Sequence, residues 1–138
     1  MARIMVKPPV YNIRPALPAE TVGLIQGQEA GSTEEWRVAQ ALTRLKMPFQ
    51  YQFEIFDASV RGGLILDFLV MTDPLSTPLE VDGEHWHSGE RGSDDKMRHV
   101  ILEQYFEGKA QPLVILYGQD LATQELADSS VRREIFNA

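Results

Sequence analysis

The chain has 138 residues and a formal net charge of −7, and 43% of its residues are hydrophobic. This length fits a single domain with one core, and the lack of Cys excludes disulfides, thiolate metal sites and a cysteine nucleophile. No apolar run approaches the roughly 20 residues of a membrane span, so we expect a cytoplasmic protein with no membrane partner.

An extended N-terminal arm, residues 1–29, is predicted to precede one folded domain, residues 30–138. Four of the eight prolines lie in this arm, which has three Lys or Arg against two Glu and therefore carries +1, leaving −8 for the domain. The arm can wrap a partner or pack along its own domain, and the sequence leaves both open. The acidic domain argues against nucleic-acid binding, which normally needs a basic surface.

The first helix is predicted to begin after Ser32 and to end near Lys46. Ser32 is a typical N-cap, and Glu35 three residues later fits a capping box. The apolar stripe of this helix consists of Val38, Ala39, Leu42 and Leu45. Because Glu35 lies at the N-terminal end of that stripe, it is a candidate for a cap, for a functional site near the core, or for both.

Three strands are predicted to follow as an antiparallel meander. Residues 49–55 alternate apolar and polar side chains, as in a strand with one buried face. Two apolar runs come next, the first containing Asp67 and the second containing Glu80. A buried carboxylate is costly unless it is paired, hydrogen-bonded or bound to a cation. Two of them on neighbouring strands therefore predict a cation site.

The remaining elements are a helix that begins at residues 92–95 and ends at Gly108, a strand at 112–118 and a helix at 128–136. The second helix has one face formed by Met97, Val100, Ile101, Gln104 and Tyr105. The strand at 112–118 is almost continuously apolar, which is typical of burial on both faces. A right-handed crossover makes it parallel to the Glu80 strand. The expected fold is α/β, with a central mixed sheet of about four strands flanked by helices.

The order of the acidic residues resembles the PD-(D/E)XK nuclease superfamily. Glu35 on the first helix, Asp67 after a Gly-Gly-hydrophobic segment, and Glu80-Val81-Asp82 on the next strand carry this resemblance, which covers about residues 32–136. It implies a restriction-endonuclease-like core and hydrolysis of DNA phosphodiester bonds with Mg²⁺ or Mn²⁺.

The Glu-Val-Asp-Gly segment, the later Trp-His pair and the Asp95–Arg98 segment are most similar to very-short-patch-repair endonucleases and to uncharacterised nuclease-like proteins of phages. A bacterial or phage-infected host cell is therefore implied. The small domain favours nicking or structure-specific cutting over recognition of a long site, unless the protein forms a homodimer.

The resemblance implies that Asp67 and Glu80 bind the metal together with the Val81 carbonyl, and that Glu35 holds a second ion directly or through water. The implied catalytic residues are Glu35, Asp67, Glu80, Asp82 and His87. The superfamily usually has Lys at the position of Asp82. Either Asp82 becomes a further acid of the site, or Lys96 or a His takes over the role of the Lys. The third possibility is an inactive nuclease-like protein that binds DNA or has a structural role in a phage or replication complex.

Candidate nucleic-acid contacts are His85, Trp86, Lys96 and Arg98. The two histidines that flank Trp86 would share one side of an extended strand and have an ordinary pKa of ~6.5, which suits proton transfer or phosphate binding. A surface-loop role is the alternative for each histidine, and a core role is the alternative for Trp86. A solvated helix face is the alternative for the two cations. We expect His99 to be structural.

Overall fold

The computed structural model describes residues 21–56, 63–83 and 90–136. The elements in chain order are β1 (Leu24–Ile25), β2 (Gln28–Glu29), α1 (Thr33–Arg44), β3 (Phe49–Ile55), β4 (Leu64–Val70), β5 (Thr77–Asp82), α2 (Glu90–Phe106), β6 (Val114–Tyr117) and α3 (Gln124–Phe136). A 3-10 helix at Gly118–Leu121, absent from the prediction, joins β6 to α3. Predictions for His85, Trp86 and His87, and for residues 1–20 of the arm, lie outside the described residues.

One four-stranded mixed sheet organises the domain. Its strand order is β3-β4-β5-β6, with antiparallel pairing up to β5 and parallel pairing between β5 and β6. The α/β class, the three-stranded meander and the parallel crossover through α2 are therefore confirmed. No helix within the described ranges is long and apolar enough to cross a membrane.

Residues 24–29, which the sequence assigned to the extended arm, form a small antiparallel hairpin, β1–β2. Its Ile25 side chain is buried in the core. The Gln26 side chain reaches the edge strand β3, where its Nε2 donates to the Phe49 carbonyl at 2.6 Å and its Oε1 accepts from the Tyr51 N–H at 2.8 Å. The hairpin therefore packs with the domain and protects part of an exposed sheet edge.

Two hydrophobic clusters hold the helices to the sheet. α1 and α3 contribute to the larger cluster, which includes Tyr51 and Phe68 from the sheet. α2 packs through Leu102 and Phe106 against the smaller cluster, which includes Leu66.

Tyr51 of β3 and Phe68 of β4 pack in the larger cluster, whereas Phe53 of β3 and Leu66 of β4 pack in the smaller one. Tyr51 pairs with Phe68 and Phe53 pairs with Leu66, so Gln52 and Asp67 lie between these two pairs. Gln52 has a positive φ of 59°, which interrupts the regular strand. Asp67 is therefore placed at an irregular point of the sheet, between its two hydrophobic clusters.

The predicted faces of α2 and β6 need correction. α2 begins at Glu90, and its buried face carries Leu102 and Phe106, whereas Met97 and Val100 are 60% and 45% exposed. The helix docks through side chains four residues apart, and this places the predicted apolar pair on the outside. β6 is the edge strand next to β5, and only Leu116 of its four residues is buried, whereas Tyr117 is exposed, so its apolar run is not buried on both faces.

The start of α3 also differs from the prediction, because this helix begins at Gln124 and not at Asp128. The Thr123 hydroxyl accepts a hydrogen bond from the Leu126 N–H at 3.1 Å. Thr123 is therefore the N-cap that the sequence analysis overlooked.

A close backbone contact fixes the end of β5 next to the 3-10 helix. A Cβ atom on Gly118 would overlap the carbonyl group of Gly83, directly after β5. We expect Gly118→Ala to destabilise the protein by about 1–3 kcal/mol, because two backbone segments must move apart. Urea unfolding followed by circular dichroism would measure this loss, and an unchanged midpoint would contradict the contact.

Candidate functional site

Carboxylates from α1, β4 and β5 meet in one cavity of about 220 Å³. The residues that line it are Glu35, Asp67, Glu80, Val81, Asp82, Arg98 and His99. The structure thus brings together four of the predicted acids and Arg98, and it adds His99, which the sequence analysis treated as structural. Lys96 is exposed on α2 and is not among these lining residues.

Two larger depressions, of about 510 and 500 Å³, lie elsewhere on the surface. The first is lined by the end of α2 and the segment that joins it to β6, and the second by that same segment, the start of β6, the connection between β4 and β5, and the end of α3. Neither contains Asp67 or Glu80. The chemistry of the side chains therefore identifies the smaller cavity as the candidate site.

Between β4 and β5, the carboxylates of Asp67 and Glu80 accept hydrogen bonds from backbone N–H groups in place of backbone carbonyls. The Asp67 N–H donates to Glu80 Oε2 at 2.9 Å, and the Val81 N–H donates to Asp67 Oδ2 at 2.8 Å. Each strand therefore donates a backbone hydrogen bond to an acid of the other strand. This exchange fixes the two carboxylates side by side and satisfies part of their hydrogen-bonding capacity.

Arg98 of α2 forms a two-pronged ion pair with Glu80. Its Nε lies 2.9 Å from Glu80 Oε1, and its Nη2 lies 3.2 Å from Oε2 and also donates to the Ile65 carbonyl. The Glu80 side chain is 5% exposed and that of Arg98 is 34% exposed. A buried carboxylate thus has a partly solvated cation as its partner, in the fork geometry that suits guanidinium groups.

Asp67 is the acid whose ionisation the fold opposes most clearly. Burial, followed by the negative charge of Glu80, raises the pKa of Asp67 from 3.8 to about 7. The hydrogen bond from Val81 lowers the pKa, Glu35 raises it, and Arg98 lowers it by its charge. Within the described residues no donor reaches Oδ1 of Asp67, so this oxygen can accept a further ligand from the cavity.

Glu35 is held at the start of α1 by two hydroxyl groups. The Ser32 Oγ caps the helix by accepting from the Glu35 N–H at 3.1 Å, and it donates to Glu35 Oε2 at 3.2 Å. The predicted N-cap is therefore confirmed. The Tyr51 hydroxyl donates to Glu35 Oε1 at 2.5 Å and accepts from the Gly31 N–H at 2.9 Å. Burial and the Glu35 contact raise the pKa of Tyr51 to about 12, so the hydroxyl remains a donor.

We expect Tyr51→Phe to lower the free energy of unfolding by about 1–2 kcal/mol, because it removes two hydrogen bonds of a buried hydroxyl. Urea unfolding at pH 7 in EDTA would measure the loss. Tyr105→Phe is the matched control, since its ring packs against Phe106 and below the Lys109 ammonium and can keep both contacts. Equal losses in the two variants would contradict the bridging role of the Tyr51 hydroxyl.

The cavity offers oxygen donors that suit a hard cation, although the acids are engaged with protein groups in this arrangement. The described residues contain no group of three or more His, Asp or Glu side chains arranged to hold a metal ion. Arg98 donates hydrogen bonds to both oxygens of Glu80, and the Ser32 and Tyr51 hydroxyls each donate to one oxygen of Glu35. The donor types nevertheless fit Mg²⁺ or Mn²⁺, since Asp67 keeps an open oxygen and the four carboxylates face one small cavity.

Comparisons of the chain with family models, curated protein sequences and solved structures found no significant match.

Proposed function

We propose that this protein is a metal-dependent endonuclease that hydrolyses DNA phosphodiester bonds and has a restriction-endonuclease-like core. The observation that carries the proposal is the convergence of four carboxylates in one cavity, at a point where Asp67 and Glu80 bridge β4 and β5. The resemblance to PD-(D/E)XK nucleases implies the same element order: a helix, a meander, a crossover helix and a parallel strand. Oxygen donors of this kind suit Mg²⁺ or Mn²⁺.

In this proposal Asp67 and Glu80 would hold the ion together with the Val81 carbonyl, and Glu35 would hold a second ion directly or through water. A bound divalent ion supplies an activated water molecule and neutralises the charge that develops on a phosphate. The clustered acids repel one another, and this repulsion favours the binding of a divalent cation beside them. Burial is the main cause of the raised pKa of Asp67, and repulsion by Glu80 adds to it.

Asp82 and His99 are the proposed proton-transfer groups. Side chains two positions apart on a strand point to the same face, so Asp82 lies on the Glu80 side of β5. Its carboxylate can accept a proton from a water molecule in the cavity, where the superfamily usually has Lys. The His99 imidazole, on α2, also lines the cavity and can donate a proton to the leaving oxygen. His87 remains a proposed catalytic group from the resemblance alone.

The proposed DNA contacts lie around α2 and the segment before it. Lys96 is exposed and can meet a phosphate. His85 and Trp86 remain proposed contacts from the sequence. A homodimer would present two cavities and two sets of cations to a duplex, which would help an acidic domain to bind DNA.

Cleavage of supercoiled plasmid, single-stranded circles and a branched junction tests this function. Each substrate is incubated with purified protein in Mg²⁺, in Mn²⁺ or in EDTA. We expect metal-dependent nicking that Asp67→Ala lowers by at least about 100-fold, because a metal ligand is lost. Glu54→Ala, at an exposed carboxylate on β3, is the matched control and should cut like the wild type. No cleavage of any substrate would contradict the proposal.

The alternative function is that of an inactive nuclease-like protein that binds DNA or has a structural role in a phage or replication complex. The Arg98–Glu80 ion pair favours this alternative, because it satisfies the buried acid without a metal. Metal-linked stability discriminates between the two functions. An active enzyme should unfold at a higher temperature in Mn²⁺ than in EDTA, whereas an inactive protein should unfold at the same temperature in both.

A further inference from the structure

Arg98 supplies a positive charge to a cavity that is otherwise acidic. Four carboxylates and one guanidinium line it, which leaves a formal charge of −3 when all the acids are ionised. The guanidinium lies directly on Glu80, a proposed metal ligand, and bonds to both of its oxygens. A metal ion that bound to Glu80 would therefore compete with Arg98 for the same two atoms.

We propose that Arg98 is an internal counter-cation that a divalent ion displaces from Glu80, and that Arg98 thereby sets the affinity of the site for metal. The inference rests on the proposed metal-dependent function.

The two partners differ in a way that allows such an exchange. Glu80 is 5% exposed and sits in a central strand, so its carboxylate cannot leave the cavity without moving the sheet. The Arg98 side chain is 34% exposed and long, so rotation about its side-chain bonds can move the guanidinium away from Glu80 and the Ile65 carbonyl. A divalent ion brings two positive charges to a cluster that Arg98 supplies with one, and this difference favours the exchange.

Mn²⁺ binding without DNA tests the exchange without any need for cleavage. Electron paramagnetic resonance of free Mn²⁺ would give the dissociation constants of the wild type, Arg98→Met and Lys46→Met. Lys46→Met is the charge-matched control, because Lys46 follows the C-terminal end of α1, whereas Glu35 lies in its first turn, and the nine residues after Glu35, up to Arg44, span about 13 Å of helix. We expect Arg98→Met to bind Mn²⁺ about 5- to 150-fold more tightly than the wild type, and Lys46→Met to bind like the wild type.

Arg98→Lys covers the case in which Arg98→Met does not fold. Lys keeps the charge but lacks the planar fork that makes two parallel hydrogen bonds to Glu80, so the Arg98→Lys variant should bind Mn²⁺ more tightly than the wild type. In the wild-type protein, the Arg98 Nε–H resonance should shift and exchange faster with water as Mg²⁺ is added, because its hydrogen bond to Glu80 is broken.

Failure of this inference differs from failure of the proposed function. If all the folded variants bind Mn²⁺ with equal affinity, or if the Arg98 resonance is unchanged in a Mg²⁺-saturated protein, Arg98 does not compete with the ion and the inference is overturned while the metal site stands. If neither the wild type nor the Arg98 variants bind Mn²⁺, the metal-dependent function fails and the exchange fails with it.

Discussion

Glu80→Gln is expected to lower the free energy of unfolding by about 2–3 kcal/mol at pH 7 in EDTA, because it removes the charge of the carboxylate that pairs with the Arg98 guanidinium. The glutamine side chain has nearly the same size and can still accept the Asp67 N–H, so the loss reports on the ion pair. Arg98 is partly solvated, and for this reason we expect a smaller loss than for a fully buried pair. Urea unfolding followed by circular dichroism would measure the effect.

Glu134→Gln is the matched control for this prediction. Glu134 accepts from Arg133 at 3.2 Å on the exposed face of α3, where the two side chains are 41% and 55% exposed. Such surface pairs contribute about 0–1 kcal/mol, so the control should lose far less stability. Similar losses in Glu80→Gln and Glu134→Gln would show that Arg98 does not need the Glu80 charge, and would remove the basis for a counter-cation.

The positions of the acids could be predicted because each has a strong local signal. Asp67 and Glu80 interrupt apolar strands, and Ser32 with Glu35 marks the start of a helix. Neighbouring strands then bring the first two acids together, and the first helix brings the third. These inferences use only the spacing of residues within single elements and the rule for crossover connections.

The role of Arg98 could not be predicted, because it depends on which face of α2 docks. The sequence offers two apolar faces, one with Met97 and Val100 and the other with Leu102 and Phe106. Contact with the sheet selects the second face, and Arg98 lies one turn before Leu102 on it. His99, beside Arg98, enters the cavity for the same reason. The β1–β2 hairpin escaped prediction because two-residue strands have no measurable periodicity.

Asp67→Asn is expected to stabilise the protein at pH 8 in EDTA, by as much as about 4 kcal/mol. Folded Asp67 keeps its proton up to a pKa of about 7, whereas the unfolded chain releases it near 3.8. Between these values the folded state binds more protons, so the contribution of Asp67 to the free energy of unfolding falls as the pH rises. Asparagine cannot ionise, yet its side-chain oxygen can still accept the Val81 N–H. The variant therefore avoids the free-energy cost of an ionised, buried Asp67, which the wild type carries above pH 7.

The difference in unfolding free energy between wild type and Asp67→Asn, measured by urea unfolding from pH 4 to pH 8, reports on Asp67 and its interaction with Glu80 and cancels the contribution of distant titrating groups. We expect the difference to be small at pH 4 and to grow until about pH 7. Asp73→Asn, at an exposed position between β4 and β5, is the control and should change stability by less than about 0.5 kcal/mol. A difference that does not depend on pH would contradict the raised pKa of Asp67.

Asp67→Asn also tests whether the stability that the wild type loses through an ionised Asp67 is linked to metal binding. If Asp67 is retained as a metal ligand, Mn²⁺ should stabilise the wild type at pH 8 and should stabilise Asp67→Asn much less, because the ion needs an ionised carboxylate. Asn at this position would then give the more stable protein without metal and the less responsive protein with it. Neighbouring carboxylates would thus have opposite effects, since replacing Glu80 destabilises the metal-free fold and replacing Asp67 stabilises it. Such opposite effects are expected of a site in which Glu80 is already paired with Arg98, whereas Asp67 is paired with a cation only when a metal ion binds.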